Sequence, residues 1–370
     1  MPGVMNEQVM RRRVERLTEK LSPIGIDGLL VIKREDLTLQ NALYISGFSG
    51  STANIVITPK HRVLLTDDRY VEQAADECPC FDVIKHERPF TKKLKEVILE
   101  LGIKKLGYET NGLTVDLLEE IRNALSPEVQ LIPTKGLIEG LRARKDPEEI
   151  DLLRKAAAIT DDAFEHIKQY IKPGVSEREL ALELEFFMRQ HGAMKTAFDI
   201  ILVSGPRTTL QHGQPSDRKI EPGDFVLIDF GAVYQHYCSD MTRTLVVGRL
   251  SKEQEKVYNA VKCAQEKSLE LLRAGAKGAE AARAARAIIE EAGYGDYTGH
   301  GLGHGVGLEV HEEPYIRGSG DLILEEGHVV TAEPGIYIQG WGGVRIEDTV
   351  VIRKDGCERL TRSSKDLVVL

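Results

Sequence analysis

Apolar positions in the first 140 residues switch between two rhythms. Residues 5 to 21 repeat at helical spacing, and short apolar runs follow: GLLVI (28–32), NIVIT (54–58) and RVLLT (62–66). Runs of this length, rich in Val, Ile and Leu, predict strands. FDVIK (81–85) and KKLGYE (104–109) extend the series, with helical spacing over 90–101 and 113–124. Alternating helices and strands predict an α/β domain over residues 1–140. GFSGS (47–51) is too short for a phosphate loop and carries no Lys.

A boundary falls at LRARKDPEEI (141–150), opening a second domain over 141–370. Asp146, Pro147 and Glu149 are a helix start: cap, first-turn proline and capping-box acid. Ile150, Leu153, Ala157, Phe164, Ile167 and Ile171 keep helical spacing until Lys172-Pro-Gly. Ser176 and Glu179 start a second helix, running to about His191 before Gly192. A strand, FDIILVSG (198–205), precedes a strand pair, VLIDFGAVYQHYCSDMTRTLVV (226–247). The plan then repeats. Ser251 and Gln254 cap a helix closed by Gly275, and another helix spans about 279–293. Strand-like GHGLGHGVGLEVH (299–311) leads to a second pair, VVTAEPGIYIQGWGGVRIEDTVVI (329–352). The offset is 105 residues between Asp146 and Ser251, 104 between Asp229 and Glu333, and 107 between Asp240 and Glu347. Such self-similarity predicts an internal duplication. The expected product is an α+β, pseudo-twofold domain whose hairpin faces meet at one central site.

Those faces carry acids. Folding the first pair about Tyr234–Gln235 opposes residues whose numbers sum to 469, so Asp229 faces Asp240. Folding the second about Gly340 sets Glu333 against Glu347. Directly opposed residues share a face, with Cβ atoms roughly 4.5–5.5 Å apart. An exposed hairpin would leave two solvated acids; in a buried one, either a carboxyl keeps its proton or a cation sits between. Four carboxylates in one core require metal. His304, among the glycines of GLGHGVG, adds an imidazole. Five nitrogen and oxygen ligands without Cys favour manganese, cobalt, zinc or iron(II). They suit two cations roughly 3–4 Å apart.

Three more histidines are candidate proton carriers. His212 lies in TLQHGQPSD, and His300 and His311 flank His304. Alternation puts His300 on the face of His304 and His311 on the other, so His311 needs a turn or bulge to join them. Arg345 is two residues before Glu347, on the same strand face, where it can hold a carboxylate. His61, His86, His166, His191, His236 and His328 have no such setting and receive no role.

Composition removes other classes. Net charge is −9 and aromatic residues make up 6%, with no basic run beside stacking aromatics, which argues against nucleic acid. The RRR at 11–13 reads as the solvated face of a helix. No apolar h-region opens the chain and no apolar run approaches a membrane span. Five scattered cysteines fit a reducing cytosol, and Cys78 and Cys80 read as ordinary thiols. The expectation is a soluble, cytoplasmic protein.

VLIDFG, CSDMTRT, GHGLGHGVGLEVHE, TAEPGIY and GGVRIEDT resemble the dimetal motifs of the creatinase / aminopeptidase P / prolidase family. All five ligand positions occur in family order across residues 204–350, and YISGFSGS and LLTDDRY are similar to its N-terminal domain. The resemblance implies a "pita-bread" catalytic domain preceded by a creatinase-like α/β domain. It places Asp229 on one metal, Asp240 and Glu347 between both, and His304 and Glu333 on the second. Manganese is the first expectation, with cobalt, zinc or iron as alternatives. It further implies that Glu333 assists the attacking hydroxide and that His212, His300 and His311 touch substrate or the tetrahedral intermediate. Methionine aminopeptidases lack such an N-terminal domain, and metal-free creatinase lacks this ligand set.

The expected reaction is hydrolysis of the bond between an N-terminal residue and proline. The alternatives are a strict Xaa-Pro dipeptidase, hydrolysis of another small amide, and a metal-free binding scaffold. Proline-containing peptides are the expected partners, in a homodimer or higher homo-oligomer. A dipeptidase must read the carboxylate that follows proline, and the prolidases it resembles place an Arg shortly after VHE. Here VHEEPYIR puts Tyr315 at that position beside acidic Glu312 and Glu313, which leans toward longer peptides. Arg317 remains a substitute.

Overall fold

A computed structural model describes residues 6–35, 40–299 and 301–370. It divides into two compact units, Met1–Arg142 and Ala143–Leu370. The first contains α1 (Glu7–Thr18), β1 (Gly28–Lys33), α2 (Asn41–Ser46), β2 (Ala53–Ile57), β3 (Arg62–Thr66), α3 (Val71–Glu77) and β4 (Asp82–Lys85). It continues with α4 (Phe90–Glu100), β5 (Lys105–Glu109), α5 (Val115–Leu125), β6 (Gln130–Thr134) and α6 (Glu139–Arg142). The strands form one sheet in the order β4-β3-β2-β1-β5-β6. Leu30, Ile32, Val56 and Leu65 bury one face against Leu94 and Ile98 of α4 and Ile121 of α5. Leu29, Val31, Ile55 and Leu64, of opposite parity, are equally buried, so both faces are covered. One expectation fails here. Arg13 is buried, with its guanidinium 4.0 Å over the Tyr44 ring and donating to the Tyr44 carbonyl at 3.1 Å. A helix half of whose residues are charged can still turn an Arg inward when an aromatic face and a carbonyl receive it.

The second unit is built twice. Its first half runs α7 (Pro147–Ile167), α8 (Glu177–Gln190), β7 (Lys195–Thr196), β8 (Ile201–Ser204), β9 (Phe225–Phe230), β10 (Ala232–Tyr234), β11 (Tyr237–Cys238) and β12 (Met241–Val246). Its second half runs α9 (Lys252–Leu271), α10 (Gly278–Glu291), β13 (Gly301–Gly305), β14 (Glu312–Arg317), β15 (Val329–Ala332), β16 (Gly335–Ile338), β17 (Gly342–Arg345), β18 (Asp348–Arg353) and β19 (Gly356–Arg359). Capping boxes start α7, α8 and α9 at Asp146, Ser176 and Ser251. Each half has its own core. Phe164, Leu184, Met188, Ile228 and Phe230 pack in one, and Val261, Ala285, Ile289, Val330 and Val350 in the other. Apolar residues at even positions of β9 and β18 face these helices, so the odd positions face away from them.

The first hairpin differs from expectation in register. β10 and β11 turn through Gln235 and His236, both at positive φ (44° and 72°), the backbone of a type I′ turn. Tyr234 pairs Tyr237, and Asp229 pairs Thr242, so the residue sum is 471 instead of 469. A shift of two residues preserves faces. Asp240 therefore stays on the Asp229 side, as a diagonal neighbour, not an opposite one. The second hairpin has the expected register: Gly335 pairs Arg345 and Ala332 pairs Asp348, which sets Glu333 opposite Glu347. The strand expected over 198–205 is formed only at Ile201–Ser204. The strand expected over 299–311 stops at Gly305, and β14 starts again at Glu312.

Gly231 makes the first hairpin possible, because a Cβ there would overlap the Ser239 carbonyl oxygen. Gly231→Ala is expected to destabilise this half by about 3 kcal/mol. Denaturant titration checks it; a change within about 0.5 kcal/mol would show that the strands part without cost.

Candidate metal centre

The two hairpins meet face to face. Glu347 N donates to the Thr242 carbonyl at 3.1 Å, and Arg345 and Thr244 exchange two hydrogen bonds. This docking brings Asp229 (β9), Asp240 (just before β12), Glu333 (after β15) and Glu347 (just before β18) together around His304 of β13. All five line a cavity of about 570 Å³. Asp240, His304 and Glu347 each offer a ligand atom, all within 4.8 Å of one another. His304 Nε2 lies 3.2 Å from Glu333 Oε1 and 3.6 Å from Asp240 Oδ2. Its Nδ1 is 3.1 Å from the Gly305 carbonyl, which orients Nε2 inward.

Neighbouring hydroxyls fix the carboxylates. Thr242 Oγ1 donates to Glu347 Oε2 at 2.6 Å and accepts from Arg345 Nε at 3.0 Å. Thr331 Oγ1 donates to Glu333 Oε1 at 2.9 Å and accepts from His304 N at 3.0 Å. Arg345, buried, ion-pairs with Asp229 and donates to the Tyr337 hydroxyl at 2.8 Å. Alternation would have found all three partners: Thr242 is two residues past Asp240, Thr331 two before Glu333, and Tyr337 four past Glu333. Gly335, between them on that face, leaves the space that the Tyr337 ring enters.

The charges do not balance. Against four carboxylates, Arg345 is the guanidinium that pairs with the cluster among the described residues. Asp229 Oδ1, Asp240 Oδ1 and Glu347 Oε1 are buried, and none has a hydrogen-bond partner among the described residues. Burial, then the neighbouring carboxylates, push Asp240 and Glu347 well above the usual carboxyl range. Burial also lifts Asp229, against the pull of Arg345. Burial is the largest influence on Glu333 and acts to raise it, but the hydrogen bond and charge of His304, with Arg345 and Thr331, together outweigh it and the net shift is downward. His304 is correspondingly raised, burial opposing and Glu333 prevailing. Orphaned oxygens on a carboxylate and imidazole set are what divalent cations require. The arrangement fits divalent metal ions. The adjacent Asp348 makes the contrast: it points the other way, pairs with Arg243 (2.7 Å), Arg359 (2.9 Å) and Lys365 (3.4 Å), and titrates below its ordinary value.

The other expected residues spread around this centre. His311 is reached by the loop between β13 and β14, and its ring is 4.3 Å from that of His304. It is open to the cavity, yet the surrounding protein and then His304 push its pKa down. His212, Tyr315 and Arg317 also line the cavity. Glu312 does not: it turns inward and pairs with Lys145 at 2.8 Å. His300 lies outside the described residues.

Comparison with known proteins agrees with this architecture. Metallopeptidase family M24 matches residues 151–354, and the creatinase/prolidase N-terminal domain matches 13–144. The chain belongs to this metallopeptidase family, whose membership implies divalent metal ions. It is 40% identical to the Xaa-Pro dipeptidase of Pyrococcus horikoshii, covering 97% of this chain and 99% of that protein. Its fold is similar to the Xaa-Pro dipeptidase from Bacillus anthracis, with TM-score 0.94 and 43% identity over 98% of this chain and 100% of the other. It is likewise similar to the X-Pro aminopeptidase from Thermotoga maritima MSB8, with TM-score 0.89 and 40% identity over 96% and 99%.

Asp240→Asn or Glu347→Gln removes charge at the centre of the cluster. Either is expected to abolish turnover and lower bound metal below two ions per chain by elemental analysis. Full activity with two ions would refute the dinuclear arrangement. A second expectation concerns pH. Carboxyls raised in the fold hold protons that the unfolded chain has released. Stability of the chelated protein therefore falls as pH rises above about 4.3. Cations displace those protons, so the gap in Tm between loaded and chelated protein should widen with pH across the range where Asp240 and Glu347 titrate. A gap that is constant from pH 5 to 8 would contradict it.

Proposed function

We propose that this chain hydrolyses the bond between an N-terminal residue and a following proline, at two divalent cations. The observation that carries it is the set of orphaned carboxylate oxygens opening on the cavity beside His304. Asp229, Asp240, His304, Glu333 and Glu347 would hold the cations, with manganese the first choice among manganese, cobalt, zinc and iron. Such ions supply Lewis acidity toward the scissile carbonyl and lower the pKa of water.

The chain's own residues do the rest. Glu333, kept ionised beside His304 and Thr331, accepts the proton of the attacking water. That proton is then available to the proline nitrogen, which has none of its own while acylated and needs one to leave. His311, whose pKa is depressed, is neutral near pH 7 and can donate to the oxyanion. His212 borders the same space. Arg345 holds Asp229 in place by their ion pair and would keep it oriented toward a cation. The five unbridged cysteines support a cytoplasmic protein, and the family resemblance supports a homo-oligomer. Among the described residues no helix is long and apolar enough to cross a membrane.

Substrate length has two readings. The preference for an aminopeptidase depends on Tyr315 standing where an Arg is expected and on an acidic wall at Glu312 and Glu313. Glu312 is neutralised by Lys145, and the cavity lining carries Arg317 instead. Arg317 stacks over Tyr315 at 5.5 Å. This favours a strict dipeptidase as the second reading, with Arg317 receiving the terminal carboxylate.

The test is kcat/KM for an Xaa-Pro and an Xaa-Pro-Yaa peptide with the same first residue. Preference for the dipeptide above about a hundredfold, roughly 2.7 kcal/mol, selects the dipeptidase. In that case Arg317→Met should erase most of the preference. No hydrolysis of either peptide with manganese, cobalt or zinc would refute the proposal.

A further inference from the structure

Lys145 has a side chain that is 1% exposed, and its Nζ meets Glu312 Oε1 at 2.8 Å. Glu312 is 5% exposed and immediately follows His311. We propose that Lys145 is a positioning residue for the reaction, holding His311 in the cavity through this buried ion pair. The inference rests on the reading of His311 given above.

The loop before His311 needs an external support. β13 stops at Gly305 because the chain must turn to bring His311, of the wrong parity, to the His304 side. The turn has small residues where it crosses the ion pair. A Cβ on Gly307 would overlap the Glu312 carboxylate. The Glu309 amide donates to Glu312 Oε2 at 3.3 Å, and Cys238 N donates to the Gly307 carbonyl at 2.8 Å. Glu312 is thus the hub of the loop, and Lys145 is a cation that holds the hub.

Lys145 is itself held. Its amide donates to the Gly327 carbonyl at 2.9 Å, and its Nζ lies 3.3 Å from the Ala143 carbonyl. Four residues on, Glu149 closes the capping box of α7 and accepts from the Tyr237 hydroxyl at 2.9 Å. One short segment therefore anchors the Gly327 turn ahead of β15, the first hairpin and the His311 loop. Stability alone does not explain the pair. Desolvating an ammonium and a carboxylate costs several kcal/mol each, and packed apolar residues often serve a core as well or better. What an apolar pair cannot supply is a directional contact on the residue beside His311.

The test compares wild type, Lys145→Met, Lys145→Arg, His311→Ala and the Lys145→Met/His311→Ala double variant, each loaded with manganese and analysed for metal. For an Xaa-Pro peptide, Lys145→Met should lower kcat by about 10²-fold, the scale of a 1 Å misplacement. KM and metal content should hold, and Lys145→Arg should restore most of the loss. In the His311→Ala background, Lys145→Met should cost no more than about twofold further. Full multiplication of the two losses would overturn the proposal, as would Lys145→Met with unchanged kcat.

A second readout is independent of turnover: the His311 ring Hε1 resonance, measured on the protein loaded with diamagnetic zinc and assigned by its absence in His311→Ala. Lys145→Met should move or broaden it. An unmoved resonance overturns the positioning role. A moved resonance with full turnover in His311→Ala would leave the positioning intact and instead refute His311 as a group in the reaction.

Discussion

Uncompensated negative charge is the constraint on which the catalytic unit depends. Four carboxylates stand on facing hairpins around the imidazole of β13, and Arg345 pairs with one of them. Each buried, unpaired charge costs several kcal/mol. The fold meets that cost by fixing geometry before a cation arrives. Thr242 and Thr331 each use one hydroxyl twice, donating to a carboxylate and accepting from Arg345 or His304. The acids are thereby aimed while three oxygens are left for ligation.

Glu347 and Asp348 show how one strand separates chemistry from support. They are adjacent, buried and oppositely directed. Asp348 is surrounded by Arg243, Arg359 and Lys365 and stays ionised. Glu347 has an orphaned oxygen and a raised pKa. Arg243 also donates to the Glu347 carbonyl, so the satisfied network behind the strand holds the unsatisfied acid in front. Buried charge with full partners is support; the same charge without them is a binding site.

Much of this was legible in the sequence because duplication and alternation are strong signals. The paired offsets placed the hairpins, and period two put each acid on the right face. The register of the first hairpin differs by two from a fold about Tyr234–Gln235, because the I′ turn uses Gln235–His236 without the Asn or Gly that usually marks it. An even slip preserves parity, so each acid keeps its face. Less visible were partners distant in sequence. No local pattern links Lys145 to Glu312 or Arg13 to Tyr44, because both contacts are made by tertiary packing. Glu312 looked like part of an acidic wall for the same reason: strand alternation does not say which acid finds a lysine.

The segment from Lys145 to Glu149 has a consequence for how this molecule can be divided. The match to the metallopeptidase family starts at residue 151, in the first turns of α7. A chain cut there would retain all five candidate ligands. It would lose the ammonium under Glu312 and the carboxylate that receives Tyr237. The functional edge of the catalytic unit is therefore a few residues upstream of its edge by similarity. Grafts, fusions and circular permutations that respect only the latter would deliver a complete ligand set on loosened loops.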